Sequence, residues 1–407
     1  MLTSAPPAAD RSSLPLLILG RTKLPILTLH ADKSAHLDII RSVAAMAVMW
    51  GHLRIMFFLD YPLLQHPGAF TKFIYAITGF GHQSVMIFFV LSGFFISSGI
   101  FRRKSVGEWC WPGYLTDRIV RLYLVLIPGL ILGGLWDNAG RIFFQASGVY
   151  SQPLHNFSNL IVDQALSPLT FLGNALFLQT IFCKAFGSNG PLWSIVNEFW
   201  YYILFPALFL LVLRPRKPWV AAGYAALAAA VMYLIGVSRL YGFLIWLSGA
   251  VVVWAVPRHL LRSHSVRIGG VVCASALFSL CLLLSRANPQ KTSSDFLVGL
   301  SFAGLLYGIL QLDDTRLPSL YQALAHDFAG FSYSLYVLHF PLLLFLHTWI
   351  SPQAKWQPNF DHFIFAVGLG ICVMGYSWLI ASATEMHTTQ VRQWVIRHWI
   401  APKTDER

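Results

Sequence analysis

The sequence predicts an all-α polytopic membrane protein, with about ten transmembrane helices around a polar pore and both termini in the cytoplasm. Three observations carry this expectation: composition, the length of the apolar runs, and the placement of basic residues. Of the 407 residues, 56% are hydrophobic and only 11% are charged, whereas a typical soluble domain is about a quarter charged. A soluble chain with a large core still keeps a charged exterior, so lipid is the solvent that suits this composition.

A spanning helix needs about 20 largely apolar residues. Runs of that kind fall at 37–59, 84–101, 119–136, 191–213, 218–237, 240–257, 267–285, 295–311, 329–350 and 362–382. Residues 1–35 precede them as a cytoplasmic tail. Their apolar stretch Leu14–Gly20 is too short to span, and Arg21 and Lys23 follow it without the small-residue site of a removable signal. Residues 36–382 form the transmembrane domain, and 383–407 a second cytoplasmic tail. The stretch 170–182 is short and flanked by Ser, Pro, Asn and Gln. It reads as a re-entrant or interfacial segment inside a long outer loop, 137–190, because such backbone is tolerated where protein or water surrounds it. On this topology 19 of the 29 Lys and Arg lie in inner segments and 8 in outer ones, the bias that the positive-inside rule requires. Counting 170–182 as a span would push the basic stretch Arg214–Lys217 outside or force another span to vanish.

The net charge of +12 therefore reports topology and attraction to anionic headgroups or an anionic substrate; no nucleic-acid-binding pattern accompanies it. Cys110, Cys183, Cys273, Cys281 and Cys372 are odd in number and form no C-x-x-C pair, so neither a metal site nor a disulfide framework is indicated.

Ionisable residues inside spans are expensive and mark functional sites. The first span carries Asp38, Arg41 and His52. Arg41 and His52 are eleven residues apart, about three turns and ~16 Å on one face of a helix, with Asp38 a turn below. The fourth span opens Trp193-Ser194-Ile195-Val196-Asn197-Glu198. Glu198 lies about as far below the outer end of its span as His52 does in its own, so a carboxylate could orient an imidazole base. Arg118 and Arg121 are a turn apart at the inner mouth of the third span, suited to bidentate contact with phosphates. Ser92-Gly93 form a small pair at mid-span, consistent with close helix packing. His339 lies near mid-membrane in the ninth span, beside Pro341 and after Ser332-Tyr333.

In this order, Asp38, Arg41-x10-His52, Phe88–Phe94 with Ser92-Gly93, Arg118-x-x-Arg121, Leu192-Trp193-Ser194 with Glu198, and Ser332-Tyr333 with His339 resemble the acyltransferase-3 family of membrane O-acyltransferases. The resemblance runs from about 36 to 345. It implies transfer of an acyl group, commonly acetyl, from cytoplasmic acyl-CoA to a hydroxyl of an extracytoplasmic or membrane-linked carbohydrate or glycolipid. A bacterial inner membrane is the implied location. On that expectation His52, Glu198 and Arg41 are catalytic, with His52 as general base. Arg118, Arg121, Asp38, Ser92 and Tyr333 hold the donor, while Trp193, Ser194, Asn197 and His339 meet the acceptor. A thioester is already activated, so no metal is required. The same intramembrane charges also suit a proton-coupled transporter, which would ignore acyl-CoA.

Overall fold

The computed structural model describes residues 18–19, 22–24, 27, 29–154, 160–215, 217–258, 263–289, 291–314, 317–352 and 354–400. Most of the expected N-terminal tail, and the last seven residues of the C-terminal one, lie outside the described residues.

After a two-residue antiparallel ribbon, β1 (Ile18–Leu19) with β2 (Thr22–Lys23), every named element is helical. In chain order these are α1 (Ala31–Phe57), α2 (Ala69–Ile77), α3 (Gly81–Ser105), α4 (Trp111–Phe143), α5 (Pro168–Ala175), α6 (Trp193–Val212), α7 (Pro218–Ala255), α8 (His264–Ser285), α9 (Thr292–Gln311), α10 (Ser319–Ala329), α11 (Ser332–Ile350), α12 (Phe360–Ala383) and α13 (Thr388–Val395), joined by short 3-10 turns. Among the described residues, nine helical stretches are long and apolar enough to cross a membrane. Their outer surfaces expose Val212, Tyr233, Leu283 and Ile371, an apolar coat that belongs in lipid.

Nine rather than ten is the count because 218–237 and 240–257 lie on one element. A straight helix from Pro218 to Ala255 would be about 57 Å long, nearly twice the ~30 Å hydrocarbon core. It is not straight: Gly236 sits at φ 74° and ψ 167°, backbone open to glycine and strained for other residues. The break orphans the Ile235 carbonyl, and Arg239 Nη1 donates to it at 2.8 Å. Two prolines are repaired in the same way. Pro341 cannot bond the Val337 carbonyl, which accepts from Asn189 Nδ2 at 2.8 Å. Pro206 cannot bond the Tyr202 carbonyl, which accepts from the Tyr114 hydroxyl at 2.9 Å. Each repair satisfies a backbone group that lipid could not, and the two at the prolines tie together elements distant in sequence.

The stretch 170–182 is not a span. Its helix α5 has eight residues, about 12 Å of length, and the chain then winds through Phe177 and Thr180 at positive φ. Arg239 donates to the Thr180 hydroxyl at 3.0 Å and to its carbonyl, holding this loop against the bundle.

At the core α1 packs on α3, α10 and α11, α11 on α4 and α12, and α3 on α7 and α9. Gly93 explains the closeness of α3 and α7, since a Cβ there would drive into the Trp246 carbonyl. Both ends of the described chain are tied to the bundle. Asp32 of α1 accepts from Gln322 at 3.3 Å, Arg392 of α13 pairs with Asp117 of α4, which also binds Arg103, and Glu385 reaches α11. Residues 385–400, expected as a tail, are thus helical and docked, because these side chains hold them there.

Candidate functional site

Two cavities lie beside α1, and Tyr336 lines both. The wide one, of about 840 Å³, is lined by His52, Arg54, His82, Lys184 and Trp193 among others. The narrow one, of about 90 Å³, is lined by Arg41, Ser92, Arg121, Glu198 and Tyr333 among others. The shared face of α1 thus presents Arg41 to one cavity and His52 to the other.

His52 is held by another histidine. Its Nδ1 lies 2.7 Å from His339 Nε2, and the two rings are nearly coplanar, at 8°. His339 Nδ1 lies 2.8 Å from the Leu335 carbonyl. A carbonyl only accepts, so His339 Nδ1 carries the hydrogen and its Nε2 bears the lone pair. His52 Nδ1 must then donate, which leaves His52 Nε2 as the basic nitrogen. Phe340 packs edge-on against His52 at 5.1 Å. His339 is fully buried and lines neither cavity, so it stands behind His52 rather than facing an acceptor.

The expected His52–Glu198 pair does not form. Glu198 accepts from Ser92 Oγ at 3.0 Å and from the Tyr202 hydroxyl, and Trp246 Nε1 donates to the same Ser92 at 3.0 Å. The reason is azimuth. Equal depth in two spans says nothing about which way each side chain points, and α6 turns Glu198 toward α3. Ser92-Gly93 therefore has two separate duties, Gly93 in packing and Ser92 in holding a carboxylate.

Around the narrow cavity charges of both signs gather. Arg41 donates to the Ala329 carbonyl at 2.9 Å, lies 3.5 Å from Asp38, and feels the charges of Arg121, Glu385 and Glu198. Glu385 accepts from both the amide and the hydroxyl of Ser334 at 2.8 Å, capping the first turn of α11, where a carboxylate is favoured by the exposed amides. Sequence reasoning missed Glu385 because it follows the last apolar run and looks like tail. Its only signal was a lone acid beside a span. Among the described residues the Arg41 Nε and the Tyr333 hydroxyl are buried without a hydrogen-bond partner, and both residues line this cavity. A buried polar group left unpaired is costly, and a bound molecule would relieve it.

The remaining expected residues divide. Arg121 is exposed and lines the narrow cavity; Arg118 instead lies 6.0 Å over the Tyr114 ring and lines neither cavity. Trp193 lines the wide cavity, stacked on His82 at 6.1 Å. Ser194 lines the narrow one, with its hydroxyl 2.6 Å from that of Tyr336. Asn197 is buried and lines neither, and Asp38 lines neither. Among the described residues no three His, Cys, Asp or Glu side chains gather as a metal site.

A family model described as an acyltransferase domain matches residues 34–380. The chain belongs to the acyltransferase-3 family. It is a multi-pass membrane protein and an acyl-transferring enzyme on that ground, and both cavities fall within the part the acyltransferase domain covers. Glu385 and α13 fall outside it. No curated protein and no solved structure matches the chain.

Proposed function

We propose that the protein transfers an acyl group, acetyl being the simplest, from cytoplasmic acyl-CoA to a hydroxyl of an extracytoplasmic or membrane-linked carbohydrate, with His52 as general base. The observation that supports this reading most is the ordered chain His52–His339–Leu335 carbonyl, on a residue that lines a cavity large enough for an acceptor. Ligand sites usually occupy ~300–1,000 Å³. The wide cavity falls in that range; the narrow one falls far below it. A nucleotide therefore stays outside the narrow cavity, and only the thin pantetheine arm of the donor threads it.

The bundle end that gathers α13, the start of α1 and Arg102–Lys104 faces the cytoplasm on the positive-inside rule. Breaking α7 at Gly236 into two crossings then gives ten in all and returns both termini to that side. Arg121, with Arg118 a turn away, receives the donor's phosphates there. Arg41 and Tyr333 hold the arm, and the thioester arrives beside Tyr336, between the two cavities. His52 Nε2 takes the proton of the acceptor hydroxyl as its oxygen attacks the thioester carbonyl. The tetrahedral intermediate collapses, the C–S bond breaks, and the thiolate leaves with the proton from His52 as free CoA. His339 keeps His52 in the tautomer that can begin the cycle. Trp193 offers the acceptor a ring face. Membership of the family and the unpaired Arg41 and Tyr333 atoms support the donor side of this scheme.

Purified protein titrated with acetyl-CoA tests it. A ligand that binds only the folded state raises the melting temperature, and the scheme expects a rise that an Arg41→Gln, Arg121→Gln double variant loses. No rise with acetyl-CoA or any longer acyl-CoA would contradict it.

A further inference from the structure

We propose that the acceptor is an anionic glycan, bound through its carboxylate or phosphate by Arg54, Lys184 and the start of α3; this rests on the reading of the wide cavity as the acceptor site.

The wide cavity has a one-sided charge. Arg54 and Lys184 line it, and among the described residues that do so none is Asp or Glu. Among the described residues no ion pair includes Arg54 or Lys184, although Arg54 feels the charge of Asp60. The nearby carboxylate of Asp60 is engaged by Lys355 at 3.2 Å, and Lys184 donates to the neutral Gln164 side chain at 2.7 Å. Arg54 lies 5.0 Å over the Tyr75 ring, and its Nε is buried without a hydrogen-bond partner among the described residues. Arg286 adds a third positive charge behind the wall, donating to the Tyr75 carbonyl at 3.3 Å.

Backbone dipoles point the same way. Gly81, His82 and Gln83 are the first residues of the 25-residue helix α3, and all three line the cavity. The preceding residue, Phe80, supplies no capping side chain. First-turn amides and the positive end of a helix form an anion site. Beside them His82 Nε2 lies 2.8 Å from Asp295 Oδ1, a pair that directs this acid at the histidine and away from the cavity. Cations, an uncapped helix start and the Trp193 ring thus converge within reach of His52. A neutral sugar would leave the two cations unanswered; a uronate or a sugar phosphate would pair with them by charge-assisted hydrogen bonds.

The test uses the full chain in phosphatidylcholine nanodiscs at low ionic strength, so that no anionic lipid headgroup competes. The probes are a glucuronate oligosaccharide, glucose 1-phosphate, and an uncharged glucose oligosaccharide. We expect the glucuronate or the phosphate sugar, or both, to raise the melting temperature while the uncharged sugar does not. Which of the two binds identifies the anion. Arg54→Gln with Lys184→Gln should weaken that binding roughly tenfold or more, and Arg54→Lys, which keeps the charge, should retain it. Equal stabilisation by the uncharged sugar, none by either anion, or an unaffected double variant would overturn the proposal. So would loss of acetyl-CoA stabilisation in the double variant with glycan binding intact, because the cations would then serve the donor. Glycan binding that survives in a wild-type protein indifferent to every acyl-CoA supports the anionic site and defeats only the donor reading.

Discussion

The narrow and wide cavities share Tyr336 and one helix, yet they are built on opposite plans. Around the narrow cavity Arg41 feels the charges of Glu198 and Glu385, and those carboxylates are in turn held by Ser92, Tyr202 and Ser334. The wide cavity has Arg54 and Lys184 in its lining and, among the described residues there, no Asp or Glu, beside a histidine held by a second histidine. The difference teaches which cavity is prearranged and which awaits a partner. A balanced network orders itself at the cost of desolvating its charges; an unbalanced one keeps its attraction for an incoming anion. Replacing single residues on each side should separate the two plans.

The largest effect belongs to the wide cavity. His52→Ala should lower acyl transfer by about 10²–10⁴-fold, the range of a lost general base, while acetyl-CoA still raises the melting temperature. Transfer measured by mass spectrometry of the acceptor checks the first half, and a thermal shift checks the second. Next comes Glu198→Ala, which strips Ser92 and Tyr202 of their acceptor and leaves Arg41 less balanced. It should cost about 1–3 kcal/mol of stability, visible in thermal unfolding. A variant with unchanged stability would break the contrast between the cavities. His339→Phe should cut the rate roughly tenfold, by freeing the His52 tautomer, with the KM for acyl-CoA unchanged. The smallest effect is that of Arg392→Ala, an ion pair at the edge of the bundle, worth less than about 1 kcal/mol and read as a slight fall in melting temperature.

Much of this architecture was legible in the sequence, and the limits of that legibility follow a physical pattern. Positions along a single helix were readable, because helical phase and rise depend on sequence spacing alone. Thus Arg41 and His52 do share a face of α1, and 170–182 is too short to cross. Relations between helices were not. Depth alone pairs His52 with Glu198, while the structure pairs it with His339 and turns Glu198 toward Ser92. Repairs at a distance were equally hidden, such as Asn189 on the carbonyl freed by Pro341, since spacing carries no record of which loop folds back. Glu385 and the His82–Asp295 pair escaped notice because each acid lies at a helix end, where an ordinary charged residue is expected.

The central claim is that His52 is the base and that His339 acts only through it. A double-mutant cycle on acyl transfer by the folded, purified protein tests this most directly, comparing His52→Ala, His339→Ala and both together. If His339 works through His52, the double variant should be no slower than His52→Ala alone. Multiplied losses would make the two residues independent, and near-native transfer by His52→Ala would remove the base from the mechanism altogether.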